Sequence, residues 1–366
     1  MRIGIDVRKY YDFGIGTYIQ NLITWCEKIG EHELVLFCTV EDHPALMRRH
    51  NSRLVTNNSS KYSLSELFTL SYQSRRLRID VFHEPHYTLP AALKCRSVVT
   101  VHDLIHTSFP QYYSAPKRLY ARQMIAHACR ASDVVIADSR YVKKELITKF
   151  GLSTEKVRVV PLGVDRHFWE VRGGDEVQVF KNRHGVSKPL ILYVGGLKPH
   201  KNIPTLLRAV SDVRKSDDIQ VGFVGESISA NEQLQGLAEN LQLKDAIISF
   251  GRLSQTDLTL AYESALTLVL PSEYEGFGLP ALEAMAAGVP VIGANATAIP
   301  EVMGGAGLLF DPHDVSDLAM KILSLLHEKQ LRTDLIQRGR TNVLRFSWEQ
   351  CARETLKIYE SLESVQ

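Results

Sequence analysis

Apolar positions along this chain fall into short unbroken runs separated by longer stretches with helical spacing. The runs at Arg2–Val7, Leu34–Thr39, Val81–His83, Ser97–His102, Val134–Ala137 and Val157–Val160 predict strands. Continuous runs, rather than alternation of apolar and polar residues, are what strands covered on both faces show, and they point to parallel sheets. Thr17–Ile29 and Tyr141–Phe150 predict helices between those strands. After a polar stretch the pattern restarts, with strands at Pro189–Val194, Ile219–Val224, Ile247–Phe250, Thr267–Leu270 and Val289–Gly293, and helices such as Asn202–Val213 and Thr256–Ala265. Strand alternating with helix in this way predicts an α/β protein built of doubly wound sheets. The break falls within Gly163–Lys188, where Arg172-Gly-Gly-Asp175 interrupts the periodicity. Two Rossmann-like domains, 1–165 and 166–345, are therefore expected, with a final helix over Trp348–Leu362. Folds of this kind bind ligands in loops at the carboxyl ends of their strands, so an enzyme with its site in the cleft between the domains is the default expectation.

Composition adds bounds to that picture. At 366 residues the chain exceeds what one hydrophobic core organises. Its 45% hydrophobic and 23% charged residues exclude disordered, collagenous and coiled-coil classes. No apolar run reaches the roughly 18 residues of a membrane span, and the opening Met1–Asp6 reads as a strand, not a secretion signal. The five cysteines, Cys26, Cys38, Cys95, Cys129 and Cys351, are scattered, which predicts reduced thiols in a cytoplasmic protein. The net charge of +2 hides an asymmetry: residues 1–164 hold 23 Lys/Arg against 15 Asp/Glu, and the remainder holds 20 against 26. A basic first half suggests an anionic partner. Its cations cluster at Arg48-Arg49-x-x-x-Arg53, Arg75-Arg76-x-Arg78 and Lys117-Arg118-x-x-x-Arg122, near Tyr62, Phe68, Tyr72, Tyr112, Tyr113 and Tyr120. Leu64–Leu77, drawn as a helix, would suit docking on anionic lipid. No nucleic-acid motif accompanies the charge, so nucleic acid is not an expected partner.

The strongest local chemistry is Pro271-Ser-Glu-Tyr-Glu-Gly-Phe-Gly-Leu-Pro-Ala-Leu-Glu283. A strand ends at Leu270, a glycine loop follows, and a helix begins near Leu279 with Pro280 in its first turn. Gly276 and Gly278 let backbone amides approach a ligand, and the new helix adds its unpaired N–H groups, a setting for phosphate. Glu275 and Glu283 bracket the loop, and carboxylates there suit hydroxyl-rich sugar or ribose. Lys201, in the loop after the strand ending at Val194, can neutralise a diphosphate leaving group.

Glu275 and Glu283, embedded in Glu-Gly-Phe-Gly-Leu-Pro-x-x-Glu-Ala-Met-Ala-x-Gly-x-Pro-Val, resemble the signature of the retaining glycosyltransferases of family four, the group 1 glycosyl transferases. The resemblance is sharpest to bacterial mannosyl- and rhamnosyl-type transferases of polysaccharide assembly. Further matches run along almost the whole chain: Gly14-Ile-Gly-Thr-Tyr18, Val101-His-Asp-Leu104, Ala137-Asp-Ser139, Val160-Pro-Leu-Gly-Val-Asp165, Val194-Gly-Gly-Leu-Lys-Pro-His-Lys-Asn202, Ile299-Pro-Glu301 and Phe346-Ser-Trp348. The resemblance implies a GT-B fold, two Rossmann-like domains facing each other across a cleft, the first binding acceptor and the second a nucleotide sugar. It also implies that 346–366 crosses back to the first domain, where the apolar stripe of its helix finds a partner surface. By resemblance Glu283 holds the donor ribose and Glu275 the donor sugar, while the amides of Phe277, Gly278 and Leu279 meet sugar and phosphate. The Gly14–Gly16 loop places a backbone N–H near the donor phosphate. His102 reaches the donor sugar or the reacting centre, making His102, Lys201 and Glu275 the catalytic candidates.

One departure stands out. Many members carry an arginine where this chain has Gly196, and Lys198, His200 or Arg252 are the candidates to replace it in donor binding. Asp103 could orient His102 or bind acceptor, and His83 and His86, after another strand, are placed with the acceptor. The spacing of His83, His86, His102 and His106 resembles no closed zinc site, and no Asp-x-Asp element occurs. No metal and no cofactor are therefore expected. A dinucleotide fingerprint is excluded because position 19 is Ile19, not glycine.

The expected activity is metal-independent transfer of a hexose, mannose from GDP-mannose first, to a saccharide or lipid-linked saccharide with retention of anomeric configuration. The expected location is cytoplasmic, with peripheral contact on the inner membrane face. Two rivals from other classes share the fold: a nucleotide-sugar epimerase, and a non-catalytic sugar- or lipid-binding protein.

Overall fold

The computed structural model describes residues 1–47, 52–59, 64–170 and 172–363. It divides into two compact units: Met1–Gly163 together with the segment from Ser347 onward, and Val164–Phe346. Each is a parallel sheet wrapped by helices, as the unbroken apolar runs require.

In the first unit the strands are β1 (Arg2–Asp6), β2 (Glu33–Cys38), β3 (Ser52–Thr56), β4 (Val81–Glu84), β5 (Arg96–Val101), β6 (Val134–Ala137) and β7 (Val157–Val159). They pair in the order β3-β2-β1-β4-β5-β6-β7. Order reverses between β1 and β4, the kind of switch point beside which a crevice opens at the strands' carboxyl ends. The core is aliphatic and aromatic, with Phe37, Phe82, Val99, Val101, Ile125 and Leu146 fully buried. The helix Phe13–Ile29 and the final helix Trp348–Glu363 pack on each other. Trp348, Cys351, Ala352, Thr355, Leu356 and Tyr359 form the buried stripe of that last helix, at the three- and four-residue spacing that one helical face presents.

The second unit repeats the design with β8 (Leu190–Gly195), β9 (Gln220–Gly225), β10 (Ile247–Gly251), β11 (Thr267–Leu270), β12 (Val291–Ala294) and β13 (Leu308–Phe310). Their order, β10-β9-β8-β11-β12-β13, puts the reversal between β8 and β11. Both units are thus Rossmann-like, and neighbouring strands within each pair in parallel. Elements that the sequence pattern left unplaced include β3, β13 and the helices Ala115–Ala131, Val315–His327 and Lys329–Val343. The first helix also starts earlier than its apolar spacing suggests, at Phe13, so Gly14 and Gly16 lie in its first turn and not in a loop ahead of it. All five cysteines are free thiols.

Candidate functional site

In the second unit the candidates gather at the strands flanking the switch point. β8 runs into Gly195 and Gly196, then a turn of 3-10 helix, Pro199–Lys201, which delivers Lys201. β11 runs through Pro271 and Ser272 to Glu275. The two loops meet: Lys201 Nζ lies 2.7 Å from Glu275 Oε1, and Ser272 Oγ donates to the same oxygen at 2.7 Å. Glu275's backbone N–H donates to Thr297 Oγ1 at 2.9 Å, which fixes the loop itself. Burial alone would push the Glu275 carboxyl up; the charge and hydrogen bond of Lys201, with the Ser272 hydroxyl, outweigh it and hold the group below the usual range. Glu275 is thus held as the carboxylate, and the Lys201 and Glu275 side chains keep 21% and 16% of their exposure.

Beyond Glu275 the loop passes buried Gly276 and Phe277, whose ring packs edge-on against Phe346 at 5.8 Å. Gly278 caps the helix Leu279–Ala286 at φ 109°, a conformation that favours glycine. No side chain caps this helix start. Its first amides therefore remain for an anionic or oxygen-rich ligand.

One turn in, Glu283 accepts a 2.7 Å hydrogen bond on Oε2 from the hydroxyl of Tyr262. Burial raises the Glu283 carboxyl above its ordinary value, against the opposing pull of Tyr262 and His167. Tyr262 is itself fully buried and its hydroxyl is pushed well up by burial and by Glu283, so it stays a donor. Only the ionised carboxylate offers both oxygens as acceptors to hydroxyl groups. Affinity for a hydroxyl-bearing ligand held by Glu283 should therefore weaken as pH falls through this raised value, at a higher pH than an ordinary glutamate would impose. In Glu283→Gln that pH dependence should flatten, as titration calorimetry between pH 5 and 8 would show.

The missing arginine has a structural counterpart. A Cβ at Gly196 would lie 3.5 Å from the carboxylate of Glu226, and Glu226 Oε2 accepts from the Leu197 N–H at 2.8 Å. A cation built at 196 would begin against that carboxylate. Of the substitutes, Lys198 and Arg252 are exposed and His200 is buried within its turn. Of the three, His200 is near enough for its charge to help hold the Glu275 carboxyl down, behind Lys201 and Ser272.

In the first unit the candidates follow the carboxyl ends of β1, β4 and β5. Gly16 is closed in: a Cβ there would run into the carbonyl of Tyr10. Gly14 is exposed with open space around it. His102, just past β5, holds Asp138 Oδ2 through Nδ1 at 2.7 Å and the Pro85 carbonyl through Nε2 at 3.1 Å. The Tyr18 ring packs edge-on against it at 4.9 Å. Asp103 accepts from the Ile105 N–H at 3.1 Å rather than from His102.

His83 departs from its expected place with the acceptor. It is fully buried, with Nδ1 on the Tyr359 hydroxyl at 2.5 Å and Nε2 on Thr100 Oγ1 at 2.8 Å. Burial, with His102 nearby, drops its pKa to about 3, so it is a neutral core residue. His86 is also buried and packs against the Tyr87 ring at 3.7 Å. Among the described residues, the group of potential ligand atoms lying within 4.8 Å of one another is Glu31, His32 and Glu360, not His83, His86, His102 and His106.

Sequence reasoning passed over several participants. Tyr262, Thr297 and Glu226 act through contacts between distant segments, which no local spacing announces, while Ser272 lies three residues before Glu275 in the same loop. Asp6 and Arg8, at the end of β1, form a buried pair with Arg8 Nε 2.9 Å from Asp6 Oδ1; only the motif Asp-x-Arg could have flagged it.

The basic surface is only partly visible, since Arg48, Arg49 and Tyr62 lie outside the described residues. Around the helix Ala115–Ala131, Tyr112, Leu119 and Tyr120 are exposed beside Lys117, Arg118 and Arg122. No acidic residue occurs between Asp103 and Asp133. Phe68, Tyr72, Arg75 and Arg76 are exposed on the helix Leu64–Arg76. No helix among the described residues is long and apolar enough to cross a membrane.

Two family models match the chain: "Glycosyltransferase Family 4" over residues 14–168 and "Glycosyl transferases group 1" over 175–342. The O-antigen chain mannosyltransferase B of Escherichia coli is 30% identical over 97% of each chain. Among solved structures, the sucrose-phosphate synthase of Thermosynechococcus elongatus superposes with TM-score 0.81 at 20% identity over 100% of both chains. HepE of Anabaena, solved with UDP and glucose, gives 0.81 at 19% identity over 99% of this chain and 100% of its own.

Proposed function

The chain belongs to the glycosyltransferases of family 4 and has their GT-B fold, and from that premise we propose that it moves a hexose, mannose first, from a nucleoside-diphosphate sugar to a hydroxyl of a saccharide or lipid-linked saccharide. The second unit takes the donor. Glu283, steadied by Tyr262, accepts the ribose hydroxyls. The amides at Phe277, Gly278 and Leu279 meet sugar and phosphate, and Glu275 takes sugar hydroxyls.

The observation that carries this reading is the join of the β8 and β11 loops through Lys201 and Glu275. It sets one cation and one carboxylate side by side, as an activated sugar with a diphosphate at its anomeric carbon requires. As the glycosidic C–O bond breaks, charge grows on the leaving diphosphate, and a fixed ammonium stabilises that charge more in the transition state than in the ground state. Glu275, its Oε1 held by Lys201 and Ser272, takes the role of sugar holder in this reading, and no covalent intermediate forms on it. The acceptor oxygen then attacks the face the diphosphate leaves, its proton passes to the departing phosphate oxygen, and configuration is retained. The mannosyl choice leans on the name of the Escherichia coli relative.

The test is acceptor-dependent release of nucleotide from a panel of nucleotide sugars, with NMR of the one-bond carbon–proton coupling at the product's anomeric carbon. GDP-mannose should turn over fastest and give the α-linked product without added metal. An inverted product, or a glycosyl-enzyme adduct in mass spectra, overturns the mechanism.

The exposed aromatic and basic surface around Ala115–Ala131 is the part of the first unit suited to an anionic bilayer, where a lipid-linked acceptor would be met. Co-sedimentation with phosphatidylglycerol vesicles should exceed that with phosphatidylcholine. It should weaken in the triple variant Lys117→Gln, Arg118→Gln, Arg122→Gln; equal sedimentation with both lipids overturns the membrane contact.

A further inference from the structure

A neutral imidazole has one donor nitrogen and one acceptor nitrogen. His102 faces acceptors at both: the Asp138 carboxylate at 2.7 Å and the Pro85 carbonyl at 3.1 Å. A neutral ring would turn a lone pair on one of them, unless Asp138 itself carried the proton. The groups around the pair decide where the proton sits. The carboxylate precedes the helix Arg140–Phe150, whose N-terminal end favours negative charge. From its own strand's end, Asp103 adds a second carboxylate beside the ring. From β4 and the loop after it come His83 and His86, both pushed below their ordinary values chiefly by burial and so neutral. Tyr18 from the first helix and Cys351 from the last are likewise pushed up, chiefly by burial, and stay protonated. The charges that act on the ring itself, Asp138 and Asp103, are both negative, while the Lys9 cation acts on His86; an imidazole is also intrinsically the stronger base by about 2.6 units.

We propose that Asp138 is a positioning residue that keeps His102 as an imidazolium, with one N–H given to Asp138 and the other to the Pro85 carbonyl. His102 is then a fixed positive charge at the carboxyl end of β5 and not a proton shuttle. Asp138 is well placed for this role, being 2% exposed, and its other oxygen, Oδ1, makes no hydrogen bond among the described residues. The direction of the His102 titration agrees. Burial lowers it, but Asp138's charge and hydrogen bond, Asp103 and the Pro85 carbonyl together raise it above the ordinary value.

The experiment is nitrogen-15 NMR of histidine-labelled protein, with His102→Gln to assign the signal. At pH 7 both His102 ring nitrogens should show protonated shifts, and the ring should lose its proton only at higher pH. In Asp138→Asn the neutral amide cannot hold the second proton, so the titration should fall by at least about one unit. Asp138→Glu should restore it. A ring with an unprotonated nitrogen at pH 7 in the parent protein overturns the proposal, whether or not either variant folds. A second arm rests on the transferase reading. Relative to the parent at each pH, turnover of Asp138→Asn should fall by about a further tenfold between pH 6 and pH 8, in step with its own His102 titration. Failure of sugar transfer altogether would leave the NMR result standing and would count against the function alone.

Discussion

Lys201→Ala should cut sugar transfer by about a hundredfold or more, the scale on which a single transition-state contact is lost. The substitution also strips Glu275 of its main partner, leaving Ser272 to hold a carboxylate that is mostly out of water. Breaking a fully buried pair from one side costs about 3–5 kcal/mol; here the residual exposure of both groups reduces that to about 2 kcal/mol. Lys201→Ala with Glu275→Gln removes the stranded charge and should regain most of the stability without regaining turnover. Urea unfolding of the two variants separates these effects. Equal midpoints would mean the ion pair is not coupled as its 2.7 Å contact implies. The pH dependence has a definite sign. Glu275's folded value is held below its unfolded value of about 4.3, so the pair's stabilisation is complete above pH 5 and is lost as pH falls through the folded value.

Tyr359→Ala should be among the most destabilising single changes, at about 3–5 kcal/mol, since it empties a fully buried aromatic position. Tyr359 is also the first member of a buried chain of hydrogen bonds. Its hydroxyl meets His83 Nδ1, His83 Nε2 meets Thr100 Oγ1 at 2.8 Å, and Thr100 meets the Tyr18 hydroxyl at 3.1 Å. Tyr359→Phe keeps the ring and leaves one nitrogen of His83 unsatisfied, which should cost about 1–3 kcal/mol. Thermal melts of the two variants should rank them in that order. If Tyr359→Phe melted with the parent protein, water would be replacing the hydroxyl and the interior would be wetter than its packing indicates.

Much of the architecture was legible because parallel strands buried on both faces advertise themselves as apolar runs. Val134–Ala137 and Thr267–Leu270 match their strands residue for residue. β3 was not legible: Ser-Arg-Leu-Val-Thr is an edge strand with no fully buried position, so neither an apolar run nor a clean alternation marks it. The helix Ala115–Ala131 hid for another reason. It buries only Ala121, Ile125, Ala128 and Cys129, a stripe of mostly small residues that hydrophobicity barely registers.

The donor-site candidates divide in the same way. Lys201, Glu275 and Glu283 could be picked out because loop glycines, a helix start and charge lie close together in sequence. Tyr262, 21 residues from Glu283, and Thr297, 22 residues from Glu275, could not. His83 is the instructive case. A histidine at the end of a strand reads as cleft-facing chemistry, yet its strand lies at the centre of a seven-stranded sheet and its ring is consumed by core hydrogen bonds.

The first unit is made of two pieces of chain, and its closing helix leaves the ribosome only after the whole of the second unit. While the second unit has all of its sequence in hand by Phe346, the first must wait with the apolar flank of its Phe13–Ile29 helix uncovered until Trp348–Glu363 emerges. At synthesis speeds of about 5–20 residues per second, the intervening stretch from Val164 to Phe346 imposes a delay on the order of ten seconds or more. The nascent chain thus completes its later lobe before its earlier one, and translation halted in between yields a polypeptide with a sticky, half-finished amino-terminal half, a natural client for chaperones.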